Sequence, residues 1–358
     1  MTKKTIFVVA SGSGGHILPA LELARQWHDV NQDGAVILIT GSSELEKKIV
    51  TSYSFITKTH TISMPKFSLK NWYNVPSIIA KTVLAFFKTR SLLKHNRPEK
   101  IISTGGFLSI PVCLAGWSKR IETNVFELNV VPGKAVNFLL PFVKKVFTVF
   151  EQTQSHCRLL GKDFSKKCVV TTYPVRFTHD DVTRDRNTVL AIVNKRLQEH
   201  NAPLKFEQNR KTLFVVGGSQ GSMLLNNLMT GFIDAHPKMY VCLQIIHQIG
   251  KGDTRKWETW YAQKGIPSCV FSYDENIKDY YVLADLIVSR SGAGTMFEIA
   301  FFGKKCITVP LVAGTTDHQV YNAQAMASMH PTLFTVIEQD TVIKKPEVFY
   351  AILRDARL

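Results

Sequence analysis

Three short glycine-rich segments carry the first chemical signal in this chain. Gly12-Ser13-Gly14-Gly15-His16 follows the apolar run Thr5–Ala10 and precedes the helical pattern Leu18–Val30. Gly217-Gly218-Ser219-Gln220-Gly221 follows Thr212–Val216 and precedes Met223–Ile233. Ser291-Gly292-Ala293-Gly294-Thr295 follows Asp285–Ser289 and opens a helix that carries Glu298. Glycine lets the backbone turn tightly, and the free N–H groups and dipole of a helix start attract an anion. One such loop is often only a tight strand-to-helix turn. Three in matching contexts favour a ligand that bears phosphate.

Side chains beside these loops have matching chemistry. His16 stands just past the first loop, and an imidazole can take a proton from a hydroxyl at neutral pH. Its plainer use is capping or packing. Glu298 lies a turn beyond the third loop, where a carboxylate can accept two hydrogen bonds from a sugar diol, as acids do for ribose. A solvated helix face is the plainer reading. His318-Gln319 and Asn322 follow Cys306–Pro310, at the carboxyl end of a strand, where open α/β sheets bind ligands.

Two rival chemistries are disfavoured. The dinucleotide fingerprint G-x-G-x-x-G fails because Ile17 stands at the place of its last glycine. No G-x-x-x-x-G-K-[ST] loop occurs. No Asp-x-Asp pair occurs either, so a bound diphosphate would rely on loop backbones and dipoles rather than a divalent metal.

Short apolar runs alternating with helical patterns must position these groups. Strand candidates are Thr5–Ala10, Ala35–Thr40, Ile101–Thr104, Val146–Phe150 and Cys168–Thr171, then Thr212–Val216, Tyr240–Ile246, Cys269–Phe271, Asp285–Ser289 and Cys306–Pro310. Runs that are apolar throughout suit parallel strands covered on both faces. The pattern restarts after a polar stretch, Arg184–Arg210. The fold class is therefore α/β with two Rossmann-like domains, in keeping with 358 residues at roughly 100–200 per domain. Tyr173-Pro174-Val175-Arg176 is the expected junction, dividing domain 1–172 from domain 177–344.

Apolar residues make up 45% and charged residues 20%, which is ordinary for a globular protein. The charge is not ordinary: net +16, with a pI near 9.5. Phosphorylated ligands, nucleic acid and an anionic membrane all fit such a balance. The densest basic block is 51–100, with Lys58, Lys66, Lys70, Lys81, Lys88, Arg90, Lys94, Arg97 and Lys100 against the single acid Glu99. Phe67, Trp72, Tyr73, Ile78, Ile79, Val83, Leu84, Phe86 and Phe87 are interleaved. Pro76–Lys94 can form an amphipathic helix suited to an anionic membrane interface. It can equally be a helix packing its apolar face inward. No RNP, KH or helix-turn-helix signature appears, which disfavours nucleic acid.

No run of 18 apolar residues occurs, so no bilayer span is expected. The stretch after Lys3-Lys4 is too short for a secretory h-region. Six cysteines, at 113, 157, 168, 242, 269 and 306, form no CxxC pair and read as buried thiols in a reducing compartment.

Together the motifs resemble the MurG family of bacterial N-acetylglucosaminyltransferases. The family's GGTGGHxxPA is similar to Ser11–Ala20, SGSGGHILPA, and a further glycine segment is similar to Gly105–Pro111. GGSQGA…N resembles Gly217–Ser222 with Asn226, and HQxGK resembles His247–Lys251. ADxxxxRSGAxTxxE matches Ala284-Asp285 through Arg290-Ser291-Gly292-Ala293, Thr295 and Glu298, and DHQxxNA matches Asp317–Ala323. The resemblance runs in order from about residue 5 to 325.

It implies a GT-B fold, two Rossmann-like domains facing each other across a cleft, and no cofactor. The implied reaction moves GlcNAc from UDP-GlcNAc to the muramyl C4 hydroxyl of lipid I, the undecaprenyl-diphosphate-linked muramyl pentapeptide. Transfer is inverting and metal-independent, and yields lipid II for peptidoglycan synthesis. The enzyme would attach peripherally to the cytoplasmic face of the bacterial membrane. Residue by residue, His16 would be the base. Ser13, Gly14, Gly15 and Asn129 would contact the donor or acceptor end of the site, and Arg176 and Ser219 the donor diphosphate. Ala293, Gly294, Thr295, Met296, Phe297 and Glu298 would hold the nucleotide, with Glu298 on the ribose. Gln319 would reach the GlcNAc. Asp274 stands where the family has an aliphatic residue whose backbone contacts uracil.

Other departures are Phe126-Glu127-Leu128-Asn129 for HEQN, Thr172–Arg176 for GNPVR and Met223 for an arginine. They fall more on the acceptor side. The nearest alternative is a related transferase acting on another membrane lipid such as diacylglycerol. The C-terminal stretch 345–358 is expected to form a helix that crosses back to the first domain.

Overall fold

The computed structural model describes residues 4–12, 14–64, 75–218, 220–312 and 318–356. The chain divides into two compact units, Met1–Arg176 and Phe177–Leu358.

In the first unit, β1 (Thr5–Val9), β2 (Ala35–Thr40), β3 (Ile56–Thr61), β4 (Lys100–Ser103), β5 (Glu122–Glu127) and β6 (Lys145–Thr148) run parallel. A small antiparallel hairpin, β7 (Arg158–Leu159) and β8 (Lys162–Asp163), precedes β9 (Cys168–Val170). The sheet order is β3-β2-β1-β4-β5-β6-β9. Ile6, Phe7, Val8 and Val9 are all fully buried, as expected where helices cover both faces. Phe7, Val9, Ile37, Ile39 and Ile101 pack with Ala85, Leu93, Val112 and Ala115 from the covering helices.

The second unit repeats the plan. Its strands are β10 (Lys211–Val216), β11 (Leu243–Gln248), β12 (Ser268–Phe271), β13 (Leu286–Ser289), β14 (Cys306–Thr308) and β15 (Phe334–Val336), in the order β12-β11-β10-β13-β14-β15. Leu213, Val215, Ile245 and Val288 form its core with Leu225, Phe232, Trp257 and Tyr261. In both sheets the chain starts in the middle, builds outward one way, then returns to build the other way. The strand order reverses between β1 and β4, and again between β10 and β13. Loops leaving the carboxyl ends of those strands part there and leave a crevice, where such sheets bind ligands.

The helix Val75–Asn96 carries two apolar stripes. Ile78, Ala85, Thr89 and Leu93 face inward and are buried. Ile79, Val83, Leu84 and Phe87 are exposed, Leu84 at 67%. The buried and the exposed apolar residues thus occupy different sides of one helix. Phe67, Trp72, Tyr73, Lys66 and Lys70 lie outside the described residues. All six cysteines are free thiols. Burial pushes the Cys113 and Cys306 thiols up to about 12.

The C-terminal expectation is corrected. The helix Pro346–Asp355 belongs to the second unit rather than crossing to the first. Phe349 and Leu353 are fully buried in that unit's core, and the Tyr350 ring lies 6.1 Å from Phe232. Two apolar side chains one helical turn apart need a core to cover them, and the nearest is their own unit's. Phe349→Ala should therefore destabilise the second unit by about 3–5 kcal/mol, read as a lower urea midpoint for its unfolding transition.

Candidate active site

The first crevice is bounded by the loop after β1 and the loop after β4. The helix Gly14–Val30 begins within the first of these, so its free N–H groups point into the crevice. His16 is half-buried. Its Nδ1 lies 2.7 Å from the carbonyl oxygen of Thr104, and the Thr104 hydroxyl donates to the carbonyl of His16 at 2.8 Å. A carbonyl only accepts, so Nδ1 must carry the hydrogen. In the neutral ring the lone pair then sits on Nε2. The His16–Thr104 pair thus ties the two crevice loops together. Gly105 packs on this ring: a Cβ there would lie 3.6 Å from His16 Cε1.

Asn129 is fixed by an acid. Glu127, buried at the end of β5, accepts from the Asn129 backbone N–H at 2.9 Å, from its Nδ2 at 3.0 Å and from Gly133 N–H at 2.9 Å. A second buried acid, Glu46, accepts from Gly12 N–H at 2.9 Å. Neither acid was singled out from the sequence. Glu46 had a readable signal, since Ser43-x-x-Glu46 is the capping-box pattern and the structure forms that box.

The second crevice lies between the loop after β10 and the loop after β13. Ser222 caps the helix Met223–Ala235, accepting from Leu225 N–H. Arg290 donates to the Ser222 hydroxyl at 2.9 Å and to the carbonyl of Val309 at 3.1 Å and Gln339 Oε1 at 3.0 Å. Burial brings its guanidinium down to about 10, which leaves it charged at neutral pH. It ties this pair of loops as His16 ties the first pair.

The helix Ala293–Phe301 starts at the third glycine loop. Glu298 Oε2 accepts from the buried Tyr281 hydroxyl at 2.9 Å, which fixes the carboxylate's direction. Gly294, Thr295 and Phe297 are half-buried; Ala293 and Met296 are buried, so the Met296 side chain packs in the core. Gln319 enters from the start of the helix His318–Met329. Its Oε1 accepts from Leu311 N–H at 3.0 Å, and its carbonyl accepts from Ser291 at 2.7 Å. Asn322 donates to the carbonyl of Ser291 at 3.4 Å. Two helix N-termini therefore meet at Ser291.

Other residues stand apart. The Asp274 side chain serves its own loop, accepting from Asn276 N–H at 2.7 Å and Tyr280 OH at 2.5 Å. Arg176 is half-buried and ends the first unit. Ser13, Ser219 and Asp317 lie outside the described residues. Among the described residues no group of three His, Cys, Asp or Glu is placed to hold a metal ion.

The His247 motif proves to be scaffold. Asn226 spends its amide hydrogens on Ile249 O (3.1 Å) and Asp253 (2.8 Å), so its Oδ1 accepts from His247 Nε2 at 3.1 Å. His247 Nδ1 then accepts from Tyr261 OH at 3.0 Å. Arg255 holds the Asp253 carboxylate well below its ordinary range. Burial brings His247 down to about 3.

The glycosyltransferase family 28 N-terminal domain model matches residues 6–148, and the C-terminal domain model matches residues 212–343. The chain belongs to glycosyltransferase family 28. Family 28 relatives align along nearly its whole length. The UDP-N-acetylglucosamine–N-acetylmuramyl-(pentapeptide) pyrophosphoryl-undecaprenol N-acetylglucosamine transferase of Halothermothrix orenii is 30% identical over 330 residues, 90% of this chain and 83% of that protein. The like-named transferase of Psychromonas ingrahamii is 28% identical, over 99% of this chain and 91% of its own. The Acinetobacter baumannii MurG crystal structure superposes with a TM-score of 0.67 at 24% identity, covering 99% and 90%, and shares the fold.

The buried neutral His247 has a measurable consequence. Its ring takes a proton near pH 6.5 when unfolded and near 3 when folded. Between those values the unfolded state holds the extra proton, so stability falls as the pH is lowered. From pH 7 to pH 5 the wild-type chain should lose about 2 kcal/mol more than His247→Gln, measured by urea denaturation at each pH.

Proposed function

We propose that this chain transfers GlcNAc from UDP-GlcNAc to the muramyl C4 hydroxyl of lipid I, forming lipid II for peptidoglycan synthesis. The observation that carries the reading is 30% identity with the Halothermothrix orenii transferase across 90% of the chain. The His16 geometry supplies the chemistry. Nε2 takes the proton of the attacking hydroxyl as its oxygen bonds to the anomeric carbon. The bond from that carbon to the UDP oxygen breaks, and the sugar inverts. Charge growing on UDP is met by N–H groups at the helix starts of the second unit, fixed before the reaction begins. Glu298, aimed by Tyr281, accepts from the ribose hydroxyls. Gln319 takes the GlcNAc, and Ser13, Gly14, Gly15 and Asn129 contact the donor or the acceptor end of the site.

His16→Ala should lower kcat by about 10²–10⁴-fold with UDP-GlcNAc affinity nearly unchanged. Glu298→Ala should do the reverse, raising the donor KM with a smaller change in kcat. Radiolabelled UDP-GlcNAc, lipid I and a diacylglycerol control measure both. Transfer to the glycerolipid alone would overturn the acceptor assignment.

The reaction's acceptor is held in a membrane, and the helix Val75–Asn96 supplies a means of reaching it. Among the described residues no helix is long and apolar enough to cross a bilayer. Exposed Ile79, Val83, Leu84 and Phe87 sit beside the exposed basic residues Lys81 and Lys88. We assign this face to an anionic membrane surface on the cytoplasmic side. Burying a Leu or Phe side chain contributes about 1.5–3 kcal/mol. Leu84→Glu and Phe87→Glu should each cut co-sedimentation with anionic vesicles by about tenfold or more. High salt should weaken what remains.

A further inference from the structure

The second unit also carries a cavity of about 330 Å³, within the range of small-molecule sites. It opens between the helix Met223–Ala235 and the short helix Trp257–Gln263. Thr230 lines it, about two helical turns along from Met223. None of the lining residues belongs to either loop that bounds the second crevice.

Two indoles shape the cavity. Trp257 and Trp260 both line it, and their rings lie 5.6 Å apart at 82°. Two aromatic walls near a right angle form a corner. A flat ring that stacks on one wall turns its edge to the other, and aromatic rings favour both contacts. The Arg255 guanidinium lies over the Trp257 ring at 4.5 Å and extends the wall with a second flat group. Charge then decides what kind of flat molecule fits. Arg255 is matched by Asp253, which accepts from its Nε at 2.9 Å. Lys264, over the Trp260 ring at 4.9 Å, is matched by Asp234 at 2.7 Å. Lys256 also lines the cavity, is exposed, and has no ion-pair or hydrogen-bond partner among the described residues. No carboxylate stands among the lining residues. The cavity therefore combines aromatic walls with one uncompensated positive charge.

We propose that this cavity is a ligand site, separate from the nucleotide crevice, for a small planar anion of the aromatic carboxylate class. The ring lies in the Trp257–Trp260 corner, and Lys256 meets the carboxylate. An unpaired cation selects for charge, whereas the indoles alone would accept any flat apolar molecule.

The test titrates the full-length chain with 2-naphthoate and follows the indole N–H resonances, with and without saturating UDP. Trp257 and Trp260 should shift saturably while Trp27 and Trp117 of the first unit stay in place, and the affinity should be the same in both conditions. Lys256→Glu, a change at an exposed side chain, should weaken 2-naphthoate about tenfold or more and leave neutral 2-naphthol nearly unchanged. Trp260→Leu should weaken both compounds, with the Trp257 resonance reporting that the unit remains folded. Unmoved Trp257 and Trp260 would overturn the proposal, and so would shifts of equal size at Trp27 and Trp117. Equal losses of 2-naphthoate and 2-naphthol in Lys256→Glu would overturn the choice of an anion. Competition by UDP would assign the ring to the nucleotide crevice and overturn a separate site.

Discussion

A carbonyl oxygen has lone pairs and no hydrogen, so the ring nitrogen that meets it must be the donor. That constraint settles which nitrogen of His16 can act as a base. It depends in turn on where Thr104 sits, which depends on β4 lying beside β1 rather than beside β3. The chain reaches that arrangement only because the sheet reverses direction after its third strand. The orientation of the His16 ring is therefore a property of the strand order. The second unit uses the same device with a different residue: Arg290 spans its reversal point and pins Ser222, Val309 and Gln339 together.

Equal folds thus carry unequal electrostatics. The first unit arranges the His16 ring between loops held by buried acids, Glu46 and Glu127. The second arranges a buried cation, amide side chains and helix starts. Proton abstraction needs a base whose lone pair is exposed and whose other nitrogen is occupied. Departure of a nucleoside diphosphate needs positive potential fixed in advance.

Much of this was legible in the residues, and the misses have physical causes. Strands such as β1 and β10 are fully covered, so their apolar runs stand out. β3 is an edge strand reading Ile-Thr-Lys-Thr-His-Thr, mostly solvent-facing, and carries no apolar run to notice. β5 reads Glu-Thr-Asn-Val-Phe-Glu, yet its last five residues are buried, because Glu127 is satisfied by three donors from the following loop. Local polarity cannot reveal a partner that only folding supplies. The glycine loops, His16 and Glu298 were visible because tight turns and unusual side chains concentrate at strand ends. What the sequence could not separate was service from support. His247 stands in a family-like motif, but its hydrogen bonds are spent inside the scaffold. Glu46 is almost fully buried, although its local sequence is polar.

The second glycine loop is also held by bare backbone. A Cβ on Gly221 would lie 2.6 Å from the Cα of Gly250, and both residues have left-handed φ angles, near +78° and +80°. Here main chain rests on main chain with no side chain between. Such a contact cannot be retuned by exchanging one residue for a slightly larger one, because the smallest step is already too large. The loop's position is therefore closed to gradual evolutionary adjustment, and change is pushed outward to residues with room to vary. Met223, half-exposed at the first turn of the next helix, is one such place.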